Sequence, residues 1–324
     1  MTFGNISDVP GIKVGHIEDG KALTGCSVIV SEEGAVCGVD VRGSAPGTRE
    51  TDLLDPIHLV DKVHAITLSG GSAFGLEAAD GVMQYLEEQG IGFDVDVLKV
   101  PIVPGAVLFD LAVGDAKVRP NKKMGYEAAK HAKKGVFPFG NIGAGCGATV
   151  GKILGMKHCM KGGLGSASIR LENGIVVGAI VAVNAVGDIR DPKNGSILAG
   201  PINPETNEIM DSIAIMQSNP ETFAKPGANT TIGVVAANVT LTKAEAKKIA
   251  QMTHNAFAKT IYPAHTMFDG DTIFALGTGK QLASIDLIGS IAVKVMEEAI
   301  IRAITFAEEV ENIPSYKSFN NVNR

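Results

Sequence analysis

The chain has 324 residues, 45% of them apolar, enough for one large single-core domain. A formal charge of −6 and the lack of any long Lys/Arg tract argue against a nucleic-acid or anionic-membrane surface. Four cysteines without a C-x-x-C pair suggest neither a zinc site nor a dithiol redox centre. The start lacks a basic then apolar leader, and the apolar stretch 175–183 is far too short to span a bilayer, so a soluble, cytoplasmic protein is expected.

In chain order, short β-branched or apolar runs bounded by Gly or Asp predict strands at 28–30, 36–41 and 65–68, then 149–154, 169–171 and 175–183, and finally 232–236 and 272–276. A helix is predicted over 73–89, behind Ser72 and ended by Gly90, and a second over 125–134, where Lys130, Lys133 and Lys134 read as a solvated face. Pro201, Pro204, Pro220 and Pro226, with Asn203, Asn207 and Asn219, make 199–228 the most linker-like region. A third helix over 243–259 opens on a capping box from Thr242 to Glu245. A fourth spans 285–310 behind a possible Ser284 cap, with Ile288, Val295 and Ile304 on one face. Strands and helices grouped in blocks favour an α+β layered sandwich over a regular βαβ repeat.

The pattern with most chemical content is Asn229-Thr230, where linker-like sequence enters the run 232–236. A threonine hydroxyl there can attack the preceding carbonyl and, once freed, use its own α-amine as base. Spacing alone is read more simply as a turn meeting a strand. Other constellations fail: Gly151-Lys152 misses the P-loop pattern at Cys146 and Ile153, and Ser72 misses the final glycine of a nucleophile elbow. His16, His58, His64, Asp52 and Asp55 show no metal-ligand spacing.

Several segments together resemble the DmpA/NylC family of self-cleaving N-terminal-nucleophile hydrolases. They are residues 8–16 (DVPGIKVGH), 42–50 (RGSAPGTRE), 68–76 (LSGGSAFGL), 145–152 (GCGATVGK), 162–166 (GGLGS), 229–236 (NTTIGVVA) and 268–272 (FDGDT), with Asn-Thr at the cut most similar to the NylC branch. The resemblance implies an α/β/β/α sandwich and one catalytic domain over 1–324, processed into 1–229 and 230–324. It implies amidase or peptidase action on aminoacyl amides or 6-aminohexanoate oligomers, without cofactor or metal, in a homotetramer. It makes Thr230 the nucleophile, Lys152 a cationic neighbour, Asn184 an amide donor for the oxyanion, and Asp269 with Asp271 an acidic pair. Where family members often carry a tyrosine near the substrate, this chain has Phe109, which cannot donate. The alternatives are a fold-sharing binding protein that has lost the chemistry, which an uncut chain would favour, and a β-peptidyl or D-aminopeptidase with ester activity.

Overall fold

The computed structural model describes residues 3–220 and 229–322. A nine-stranded sheet dominates, built from β1 (Lys13–Asp19), β2 (Thr24–Val41), β3 (Thr48–Arg49), β4 (Lys62–Ser69), β5 (Gly105–Val107), β6 (Gly163–Arg170), β7 (Val176–Asn184), β8 (Thr230–Val239) and β9 (Thr272–Gln281). The order is β6-β7-β8-β9-β2-β4-β5-β3, with β1 beside β2. Neighbours are antiparallel except β8 with β9 and β4 with β5.

The sheet doubles back on itself. β8 touches β4 and β5, although other strands separate them in the hydrogen-bonded order. Ile180 of β7, Ile232 and Val234 of β8 and Phe274 of β9 therefore meet Ile29 of β2 and Ile66 of β4 in an inner core. Alternate residues face outward, as a period of two requires. On one side Val177, Val181, Val235 and Ile273 pack on α4 (Lys243–Thr260) and α5 (Ile285–Thr305). On the other, Val28 and Val30 of β2 pack on α1 (Ala78–Glu88) and α2 (Lys122–Lys130). The layers run α/β/β/α, and every residue of β7 and β8 is buried. Near-continuous Val, Ile and Ala suit strands covered on both faces. Two shorter helices are α3 (Ser212–Ser218) and α6 (Tyr316–Val322).

The expected runs 28–30 and 36–41 are parts of one long strand, β2. The run 149–154 pairs only at Thr149–Val150, because Gly151 at φ 69° turns the chain. The helix expected over 73–89 begins as a 3-10 segment, Ser72–Glu77, before turning α-helical. That expected over 125–134 starts earlier, at an Asn121 cap, and stops at Lys130, so Lys133 and Lys134 are exposed beyond its end. The capping box is present, with Thr242 accepting from Glu245 N–H and Glu245 accepting from Thr242 N–H. Ser284 makes no side-chain cap bond, and α5 ends at Thr305 rather than at 310. The linker-like region contains α3, capped by Asp211 and tied to Asp188 and Arg190; its part at 221–228 lies outside the described residues. No helix among the described residues is long and apolar enough to cross a membrane.

Candidate active site

The ladder between β7 and β8 sets the site. Its antiparallel register places Asn184, the last residue of β7, opposite Thr230, the first of β8. Because β8 and β9 are parallel, with Ile232 opposite Thr272, the residues leading into both strands lie at the same sheet end. Asn229 bridges Asp269 there, and the Gly270 N–H donates to the Asn229 carbonyl at 3.0 Å. The Thr230 hydroxyl donates to that same carbonyl. The candidate nucleophile and candidate scissile peptide are thus in contact.

Packing here is tight. A Cβ on Gly270 would lie 2.7 Å from Thr230 Oγ1 and 2.9 Å from the Ala45 carbonyl. The 42–45 segment braces the Asp269-Gly270-Asp271 turn: Ala45 N–H donates to the Asp269 carbonyl at 2.9 Å, and Arg42 N–H to that of Asp271 at 2.9 Å. Asn229 is 1% exposed, and its side-chain amide atoms find no hydrogen-bond partner among the described residues. A buried amide left unpaired costs free energy.

Lys152 enters from the turn after Gly151. Its buried ammonium donates to Asn184 Oδ1 at 2.8 Å and to the Asn184 carbonyl at 3.0 Å. Thr149 N–H donates to the same Oδ1 at 3.0 Å, and Asn184 Nδ2 donates to the Phe109 carbonyl at 3.0 Å. Phe109 therefore reaches this network through its backbone. Asp271 Oδ1 accepts from Thr231 N–H at 2.8 Å, at the second peptide of β8, while Asp269 Oδ2 accepts from Thr266 N–H at 2.7 Å, within its own turn. All the residues expected from sequence at this site gather at one end of the sheet. The two aspartates diverge, one gripping β8 and one its own loop.

Burial governs the charges. It lowers the Lys152 pKa to about 7, opposed by weaker attraction to Cys159 and Asp269. Burial also raises Asp269 to about 6, helped by repulsion from Asp271. An amine and a carboxyl with ordinary values far apart are both brought toward the neutral range, each feeling the other's charge, a common mark of proton-handling sites.

Sequence reading missed His265. Its Nδ1 is 2.9 Å from Asp271 Oδ2, and its backbone N–H donates to the same oxygen at 3.1 Å. The only sequence signal is a histidine six residues before Asp271.

A folded-over sheet between two helical layers, with a hydroxyl at the first residue of a central strand, has the architecture of N-terminal-nucleophile hydrolases. The comparisons agree. A β-aminopeptidase of Burkholderia sp. superposes with TM-score 0.71 over 99% of this chain and 93% of its own, at 18% identity. The L-aminopeptidase D-Ala-esterase/amidase of Ochrobactrum anthropi, described as a variant of the Ntn-hydrolase fold, gives 0.69 over 98% and 92%, also at 18% identity. The model of peptidase family S58 matches residues 4–317, and the chain belongs to that family. It is 40% identical to an uncharacterized aminopeptidase of Mycobacterium leprae over 97% of this chain and 93% of that protein. It is 32% identical to the 6-aminohexanoate-oligomer endohydrolase of Kocuria sp. over 91% and 84%. The protein is a hydrolase of amide bonds.

Proposed function

We propose that the chain cuts itself between Asn229 and Thr230 into 1–229 and 230–324, and that Thr230 then serves as the nucleophile toward amide substrates. The observation that carries this reading is the Thr230 hydroxyl lying on the Asn229 carbonyl that Gly270 N–H already holds. In the first step Thr230 Oγ bonds to the Asn229 carbonyl carbon, and Lys152, part free base near pH 7, takes the hydroxyl proton. The C–N bond breaks as the Thr230 nitrogen gains a proton. Water then hydrolyses the ester, giving the Asn229 carboxylate and a free α-amine on Thr230.

In the mature enzyme that amine removes the hydroxyl proton when substrate is attacked. Asn184, opposite Thr230, supplies an amide donor to the oxyanion and orients Lys152. Asp271 holds the peptide after Thr230, and Asp269 balances the amine. Phe109 lines the substrate side. The relatives support aminoacyl amides or peptides as substrates, and the 6-aminohexanoate hydrolases support short nylon-type oligomers as a second class. A homotetramer belongs to the same proposal, and the mass in solution tests it.

The test is a denaturing gel with intact-mass analysis of fresh protein, plus N-terminal sequencing of the smaller piece. Two tightly associated pieces are expected, the smaller beginning Thr-Thr-Ile-Gly. A single intact chain hydrolysing amides at full rate overturns the mechanism.

A further inference from the structure

We infer that His265 is a positioning residue for the Thr230 site: it occupies one oxygen of Asp271 with two N–H groups and so dedicates the other to the strand carrying the nucleophile. The carboxylate is shared in a fixed way. Oδ2 takes His265 Nδ1 at 2.9 Å and His265 N–H at 3.1 Å, while Oδ1 takes Thr231 N–H at 2.8 Å. A carboxylate only accepts, so this contact assigns the proton to Nδ1. Nε2 is buried with no hydrogen-bond partner among the described residues.

The ring is held from outside the catalytic loops. It stacks on Phe257 at 5.9 Å and meets His254 edge-on at 4.8 Å, both on α4, the helix that connects β8 to β9. His254 Nε2 in turn lies 3.0 Å from the Asp40 carbonyl of β2. His265 also sits at φ 57°, in the left-handed region that side chains other than Asn, Asp and His rarely enter. A residue in that conformation with a paired ring couples helix packing to the angle of Asp271, and through Thr231 to the placement of Thr230.

This rests on Thr230 being the nucleophile, so the wild-type protein is measured first for cleavage and turnover. His265→Asn tolerates the left-handed backbone and keeps a donor near the Nδ1 position; His265→Gly tolerates the backbone but has no side-chain donor. Both keep the backbone N–H. Loss of one bond to a charged group predicts that His265→Gly lowers kcat roughly tenfold to a hundredfold with KM within about twofold. His265→Asn should recover most of that loss, at matched thermal transitions. His265→Gly turning over like a cut, active wild type, or Asn rescuing nothing, overturns the role of His265. An uncut and inactive wild type overturns the assignment of Thr230 instead, and this inference with it.

Discussion

Asn184 and Thr230 face each other as paired residues at the last rung of the β7–β8 ladder, one ending its strand and the other beginning its own. The pairing sets the amide-bearing residue across from the hydroxyl-bearing one with the precision of backbone hydrogen bonding, which a loop could not match. Asn184→Ala should therefore leave a folded protein that turns substrate over roughly a hundred- to a thousandfold more slowly, the usual cost of one oxyanion donor. Steady-state rates on an aminoacyl amide check this. Unchanged turnover would leave Asn184 with the structural duty of holding Lys152.

Lys152 predicts a pH dependence of both rate and stability. Self-cleavage should rise with pH through a limb near the depressed Lys152 value of about 7. For stability, the comparison is Lys152→Met against its parent, both in an uncut Thr230→Ala background. The folded lysine binds its proton only below about 7, whereas the unfolded chain does so below 10.5. Between those values the unfolded chain holds more protons, so the lysine protein gains stability as pH rises and loses it as pH falls through about 7. Relative to the methionine variant, that gain between about pH 7 and pH 9 should be on the order of 2 kcal/mol. Denaturant midpoints at the two pH values read it, and a constant difference would mean an ordinary lysine.

Much of this was legible in the sequence where one strand carries its own signal. The runs within β7 and β8 are so rich in Val, Ile and Ala that burial on both faces was implied, and Thr242 with Glu245 announced the start of α4. What failed depended on distant partners. β1 escaped because Gly15, His16 and Glu18 dilute its apolar alternation and it lies off the main strand order, laddered to β2 and bridged through Val14 to Lys133. The 149–154 run looked like a strand, yet its glycine turn is what aims Lys152 at Asn184. His265 was invisible because its meaning comes from α4, through His254 and Phe257. Resemblance, rather than spacing, singled out Phe109 and Asn184.

Gly270 should be intolerant of even a methyl group. Its φ is not in the left-handed region, so alanine suits the backbone, but the added Cβ would lie 2.7 Å from Thr230 Oγ1. The hydroxyl must shift, and misplacement of a reacting atom on the ångström scale can cost about a hundredfold. Gly270→Ala is expected to stay largely uncut over a time course in which the parent is fully processed. Rapid cleavage of this variant, followed by gel, would place the reactive rotamer of Thr230 elsewhere.

The Thr230 hydroxyl is asked to act twice, first on the Asn229 carbonyl it already touches and then on substrate. Thr230→Ala should give an uncut chain whose turnover falls by up to about a millionfold, as when a covalent nucleophile is deleted. Thr230→Ser keeps an oxygen at the same reach, so cleavage and some turnover should survive. The serine loses the β-branch that favours an extended backbone at the head of β8, which makes its rotamer less fixed and its cleavage slower than that of threonine. Thr230 is buried, so either change can also loosen the strand end. Thermal transitions and assembly sizes matching the parent separate lost chemistry from lost structure. With folding matched, an alanine variant that still cuts itself or still hydrolyses amides removes Thr230 from the mechanism.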